Sequence, residues 1–254
     1  MHSGASPSGF LGNVNSGATP APNDDRDASD PSLERTFRGH REAITTLSFA
    51  NSSRQLVSGS VDGCLMLWNF QPQLRAFRFI GHKAAVYHAE FSPTGELIAS
   101  GSKDRTVRLW LPNARGESTE LKGHSGAVRS VSFSQDCRQL VTASDDKTVK
   151  VWSLPSKRFR CTLAGHSNWV RSAKFSPDAR LVVSGGDDKL VKLWDVATHH
   201  CIHTFYDHAE NVNQARPPRT HTLPLAHHHP APSDDARVGS LSLSSSLARS
   251  AWAF

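Results

Sequence analysis

The amino-acid sequence predicts an all-β fold made by repetition, a β-propeller with four complete blades. Three observations carry this reading. A Gly-His pair recurs at 39–40, 81–82, 123–124 and 165–166, and a further His stands at 208 behind Asp207, so that successive His residues are 42 apart. Asp62, Asp104, Asp146 and Asp188 keep the same period, and so do Trp68, Trp110, Trp152 and Trp194. Between these fixed points short apolar stretches alternate with turn residues, the pattern of many brief strands.

Within a repeat, the stretch that runs into each Trp alternates apolar and polar residues, as in Val107-Arg108-Leu109, Val149-Lys150-Val151 and Val191-Lys192-Leu193. A period of two is that of a half-buried strand. The stretch before it is more continuously apolar, as in Leu181-Val182-Val183-Ser184, which suits a strand covered on both faces. Asn-Ser-Ser at 51–53, Ser-Pro-Thr-Gly at 92–95 and Ser-Pro-Asp at 176–178 separate the first strand from the second, and dipeptides such as Asp62-Gly63 separate the second from the third. About four strands fit in one period, which matches the propeller blade of WD40 type, with its repeat of about 40–45 residues and its GH…WD signature.

In the WD40 pattern that these residues match, four side chains of each blade form a hydrogen-bonded chain. The sets are Trp68-Ser58-His40-Asp62, Trp110-Ser100-His82-Asp104, Trp152-Thr142-His124-Asp146 and Trp194-Ser184-His166-Asp188. Ser, His and Asp also compose hydrolytic triads. The fourfold copy favours a structural staple, since a catalytic site occurs once whereas a staple is copied with its repeat. No GxxxxGK[ST], HExxH or GxSxG occurs, and a non-enzymatic chain with no cofactor and no small-molecule substrate is expected. Cys64, Cys137, Cys161 and Cys201 are far apart with no CxxC, so packed, reduced thiols are expected rather than disulfides or a metal site.

No apolar stretch reaches the ~18 residues of a membrane helix, and residues 1–30 lack the order of a secretory signal, so a soluble intracellular protein is expected. The net charge of +6 divides into −3 for residues 1–32, +7 for 33–214 and +2 for 215–254. Such a balance with both signs interspersed is that of a solvated surface, and nucleic acid is not the expected partner. Leu33–Arg38 is expected to be an outer strand awaiting a blade, and the fifth repeat, opened by His208, breaks off at Gln214-Ala215-Arg216-Pro217-Pro218. The expected organisation is a disordered segment 1–29, repeats over 30–213 and a low-complexity, disordered tail 214–254 that includes His227, His228 and His229. The usual ring of this type has seven blades, so four are expected to form an incomplete propeller whose two end blades expose apolar flanks.

Several runs go beyond the general repeat: Asp30-Pro31-Ser32-Leu33-Glu34-Arg35, Cys64-Leu65-Met66-Leu67-Trp68, Arg75-Ala76-Phe77-Arg78-Phe79, the stretch Asp104 to Trp110, the stretch Ser144 to Trp152, and Asn168-Trp169-Val170-Arg171-Ser172-Ala173-Lys174-Phe175. Over residues 30–206 the chain resembles the opening blades of the "proteome of centriole" WD40 proteins. The resemblance implies a scaffold of centrioles and basal bodies that supports cilium assembly and binds centriolar or microtubule-associated proteins, placed in cytoplasm and cytoskeleton. A substrate receptor or adaptor of a ubiquitin-ligase or signalling complex is the alternative. Rings of this type bind partners where the His loop and the Asp turn emerge, at positions three and five after the His and one before the Asp. That rule selects Ala43, Thr45 and Val61, then Ala85, Tyr87 and Lys103, then Ala127, Arg129 and Asp145, then Trp169, Arg171 and Asp187, of which Tyr87, Lys103, Arg129, Trp169 and Arg171 are the expected partner-binding residues. Trp169 lies outside the Trp ladder, and Trp beside Arg is the composition of interface hot spots; packing on an adjacent blade is the bland alternative.

Overall fold

A computed structural model describes residues 36–71 and 75–217. The expected outer strand at 33–38 lies partly outside these residues, and its described part, Thr36–Arg38, is not in a strand. Thr36 and Phe37 belong to one unit, and all the blades belong to a second unit that begins at Arg38. The segment 1–29, most of the tail from 214 on and the His run 227–229 lie outside the described residues.

Among the described residues sixteen strands form four antiparallel sheets, each strand pairing with the next within its sheet. Blade one holds β1 (Ile44–Phe49), β2 (Gln55–Ser60), β3 (Cys64–Asn69) and β4 (Phe77–Ile80); blade two holds β5 (Val86–Phe91), β6 (Ile98–Ser102), β7 (Thr106–Trp110) and β8 (Ser118–Lys122). Blade three holds β9 (Val128–Phe133), β10 (Gln139–Ser144), β11 (Thr148–Ser153) and β12 (Arg158–Ala164); blade four holds β13 (Val170–Phe175), β14 (Leu181–Gly186), β15 (Val191–Asp195) and β16 (Cys201–Phe205). Cys64 and Cys161 are packed, whereas Cys201 is exposed on β16, where the outermost strand of the blade meets water.

The core lies between blades rather than within one. Leu65, Leu67 and Phe79 of blade one pack on Val86, Ala89 and Phe91 of blade two. Val107, Leu109 and Leu121 then meet Val128, Val131 and Phe133, and Val149, Val151 and Leu163 meet Val170, Ala173 and Phe175. Close approach requires a small residue on each second strand. A Cβ at Gly101 would come within 2.7 Å of Val128 Cγ1 and one at Gly59 within 2.8 Å of Val86 Cγ1, so a side chain at either glycine would wedge the blades apart.

The two ends of the stack differ. On β1, Ile44, Leu47 and Phe49 are 52%, 60% and 65% exposed, while their counterparts 42, 84 and 126 residues on are at most 6% exposed. Among the described residues no blade lies against that flank. At the other end, 207–217 forms no strand, but it is not detached. Val212 and Ala215 occupy the repeat positions of Val170 and Ala173, are 6% and 1% exposed, and pack on Val183 and Val191. The flank of blade four expected to be bare is therefore covered over its inner half.

Repetition also copies backbone strain. The hairpins between second and third strands place Gly63, Arg105, Lys147 and Lys189 at φ of 75, 71, 68 and 66°, and those between first and second strands place Ser53, Gly95, Cys137 and Ala179 at 53, 78, 55 and 58°. This left-handed region costs a residue with a Cβ about 1 kcal/mol. Ala179→Gly is therefore expected to stabilise the protein, by up to about 1 kcal/mol after the entropy lost with glycine. Urea denaturation checks this, and an unchanged or lower midpoint would contradict it.

Candidate interaction face

Each of the four side-chain sets comes together in its blade. The Trp68 indole N–H donates to Ser58 Oγ at 2.8 Å, Ser58 Oγ lies 2.7 Å from His40 Nε2, and His40 Nδ1 lies 3.2 Å from Asp62 Oδ2. Trp110, Ser100, His82 and Asp104 repeat the series at 2.8, 2.7 and 2.9 Å. Trp152, Thr142, His124 and Asp146 do so at 2.9, 2.8 and 2.7 Å, and Trp194, Ser184, His166 and Asp188 at 2.8, 2.8 and 2.7 Å. An indole N–H can only donate, so the hydroxyl is left to donate to His Nε2, and Nδ1–H then donates to the carboxylate. Each member of a set is thereby satisfied, with all its bonds running in one direction.

The carboxylate joins two loops. Asp146 Oδ2 accepts from His124 and from the Ser125 amide at 3.1 Å, while Oδ1 accepts from the Thr148 amide at 3.0 Å and the Thr148 hydroxyl at 2.6 Å. Burial by itself would raise the Asp146 carboxyl, but the bonds from His124 and Thr148 outweigh it and hold the group well below the usual carboxylate range. Asp104 is held down in the same way against its burial by His82, Thr106 and the Lys83 amide. Burial lowers His166, opposed by Asp188.

A backbone bond completes the clamp. The amide before each Asp donates to the third residue after each His: Val61 to Ala43, Lys103 to Ala85, Asp145 to Ala127 and Asp187 to Trp169, at 2.8 to 3.0 Å. His loop and Asp turn thus emerge side by side at one end of each blade, held by buried groups beneath. What they carry upward is free to vary.

Four of the five face residues singled out from the sequence form one run across blades two to four. The Arg129 guanidinium of blade three lies 4.3 Å over the Tyr87 ring and 5.5 Å over the Trp169 ring, and that of Arg171, on Trp169's own blade, lies 5.3 Å over Trp169. Each Arg is locked in plane by the Asp sixteen residues on. Arg129 donates to Asp145 through Nε at 2.8 Å and Nη2 at 2.7 Å, and Arg171 donates to Asp187 through the same atoms, both at 2.6 Å. Lys103 is exposed at the repeat position of Asp145 and Asp187, on the blade where Tyr87 stands in place of the Arg. The Arg–Asp locks are not visible in any one repeat; the signal for them is the spacing of sixteen shared by 129/145 and 171/187.

Trp169 is both packed and open: Arg129 and Arg171 flank it, yet it is 41% exposed. Its counterparts are Ala43, Ala85 and Ala127, so the blade does not need an indole there. A second change accompanies it. Where the other blades have Ser60, Ser102 and Ser144, blade four has Gly186, and a Cβ there would lie 2.5 Å from the Trp169 carbonyl oxygen. Beneath the face, Glu90 of blade two accepts from Lys174 of blade four and from Ser132 of blade three at 3.2 Å, joining the inner strands. Among the described residues no group of His, Cys, Asp and Glu is arranged to hold a metal ion.

Comparison with known proteins gives two findings. The family model described as "WD domain, G-beta repeat" matches residues 31–69, 73–110, 116–153 and 157–195, one copy per blade. Similar curated proteins include "POC1 centriolar protein homolog A" of Xenopus tropicalis, 60% identical over 50 residues, and of Bos taurus, 57% identical over 49 residues. "POC1 centriolar protein homolog B" of Xenopus laevis is 53% identical over 50 residues. Each alignment covers 19 to 20% of this chain and only 11 to 12% of the relative.

Asp146→Asn replaces a charge acceptor with an amide and leaves the His124 and Thr148 donors poorly matched, so a loss of about 1–3 kcal/mol is expected at pH 7. The folded carboxyl lies below its unfolded value, so its contribution is full above about pH 4 and is lost as pH falls further. The gap between wild type and Asp146→Asn in urea denaturation should therefore narrow below pH 4. A gap absent at pH 7, or widening in acid, would contradict the assignment.

Proposed function

Because the chain belongs to the WD domain, G-beta repeat family, we propose that it is a non-catalytic protein-binding scaffold of centrioles and basal bodies that supports centriole integrity and cilium assembly. The blades do no chemistry in this reading. The His, Ser and Asp groups are engaged with one another in every repeat, and none of them is open to a substrate. The centriolar setting rests on the names of the relatives, which are centriolar proteins from frogs and cattle, over a fifth of this chain.

The observation that carries the binding role is the exposed Trp169 in an alanine position. An indole held between two guanidiniums offers a large apolar surface whose orientation is fixed before a partner arrives. Fixing Arg129 and Arg171 on Asp145 and Asp187 lowers the entropy lost on binding. It also neutralises the two cations locally, which leaves the face suited to a protein surface rather than to a run of phosphates.

Trp169→Ala, alone and together with Arg171→Glu, tests this. Capture of centriolar proteins from ciliated-cell extracts, identified by mass spectrometry, should fall by about tenfold or more, the loss typical of a hot-spot residue. Far-UV circular dichroism should not change. Undiminished capture of the same proteins by a folded double variant would show that the partners bind elsewhere.

A further inference from the structure

Resting on the reading of that face as the binding surface, we infer that the partner meets it with a short acidic segment, its carboxylates on blade two and an apolar side chain on Trp169. In the His loops and Asp turns of blades two to four, the exposed ionisable residues are Lys83, Lys103, Arg105, Lys147 and Lys189, all of them cations. The carboxylates of the same loops are half-buried and engaged. Asp104, Asp146 and Asp188 accept from their His residues and loop amides, and Asp145 and Asp187 accept from Arg129 and Arg171. The sector also has edges. In blade one the exposed Arg41 is followed by the exposed Glu42, and the unit after blade four brings Asp207 and Glu210, whereas the residue matching Glu42 is Ala84, Gly126 or Asn168 in the three blades between. Charge complementarity therefore favours an acidic ligand within the sector and opposes it on both sides.

Blade two is where a carboxylate gains most. Blades three and four pair an Arg with the Asp sixteen residues on, but blade two has Tyr87 and Lys103 at those positions, so its cation is not neutralised there. The Lys103 amide donates to the Ala85 carbonyl at 2.9 Å, and the Lys83 amide donates to Asp104, the residue after Lys103, also at 2.9 Å. Two ammonium groups thus rise from adjoining backbone beside Tyr87. From there to Trp169 a single guanidinium, that of Arg129, spans the gap, resting on both rings. Three extended residues, about 10 Å, cover such a distance. The segment so described carries Asp or Glu about three residues from a Leu, Phe or Tyr.

Other polyanions fit the same face less well. A nucleic-acid strand carries a phosphate at every step, and on the way from Lys103 to Trp169 it would pass over Asp145, whose carboxylate already neutralises Arg129. An anionic membrane gains from a Trp that can enter it. Trp169 is held between two guanidiniums, and the carboxylates of Asp145 and Asp187 would have to follow it out of water. A peptide can place its charge at one end and leave its middle neutral.

Panning of the full 254-residue chain against a random dodecapeptide phage library tests this chemistry. The recovered peptides should be enriched in Asp and Glu within about three positions of an apolar residue. Synthetic copies, followed by fluorescence anisotropy, should bind with a dissociation constant raised about tenfold or more by Lys83→Glu with Lys103→Glu, and likewise by Trp169→Ala. Arg138→Glu, a charge reversal in the hairpin between β9 and β10, should change nothing. Raising NaCl from about 50 to 300 mM should weaken binding. Peptides that need Trp169 but show no excess of acid, or that bind the folded Lys83→Glu/Lys103→Glu chain undiminished, would contradict the acidic segment and leave the binding face standing. Acidic peptides indifferent to Trp169→Ala would place their site elsewhere and remove the face as well. Recovery of no Trp169-dependent peptide, or tighter binding through the same lysines of an oligonucleotide of about 20 bases or of phosphatidylserine vesicles, would overturn the proposal.

Discussion

The buried carboxylate beneath each pair of loops is the constraint on which the rest of this molecule depends. Asp62, Asp104, Asp146 and Asp188 each accept from a His side chain, from the amide after that His and from an amide two residues further along their own turn. One group thereby joins the loop that enters a blade to the hairpin that emerges beside it. The Trp and hydroxyl below carry the series of bonds into the sheet, so loop geometry and sheet register are one unit. Removing a partner leaves buried donors without acceptors, which is why such networks are kept whole or not at all.

Blade packing follows from the same repetition. Each sheet buries one flank on its predecessor and one on its successor, and the valine at the start of each inner strand fits over a small residue of the blade before it, Gly59, Gly101 and Ala143 in turn. Stability in such a stack is a sum over neighbours, and the terminal units carry the unmatched surfaces. Here they do so unequally. Blade one presents bare apolar side chains, whereas blade four is met by a strandless stretch that keeps the valine and alanine of a fifth repeat.

Most of the fold was legible in the sequence because its determinants recur at a fixed spacing. His, Asp and Trp at intervals of 42, alternation before each Trp and turn residues between strands lead directly to four-stranded blades. What was hidden needed comparison between repeats rather than reading along one. Val212 and Ala215 continue the series Val86, Val128, Val170 and Ala89, Val131, Ala173, but Pro217 and Pro218 make the region read as the end of order. The Arg–Asp locks span sixteen residues and two loops, so no local pattern announces them. Trp169 stands out only beside Ala43, Ala85 and Ala127, its counterparts in the other repeats. The outer-strand reading of 33–38 is met by the structure only at Thr36–Arg38, which are not in a strand.

Among the described residues the tryptophans divide by setting: those on the 42-residue ladder are staples sealed inside blades, and Trp169 stands exposed at the surface. Solvent exchange of the indole N–H protons, followed by NMR on the ¹⁵N-labelled chain and assigned with single Trp→Phe variants, tests that division most directly. The expected spectrum has slowly exchanging indole signals for Trp68, Trp110, Trp152 and Trp194, whose N–H groups donate to buried hydroxyls, and immediate exchange for Trp169. Rapid exchange at the four ladder positions, or protection of Trp169 equal to theirs, would contradict it.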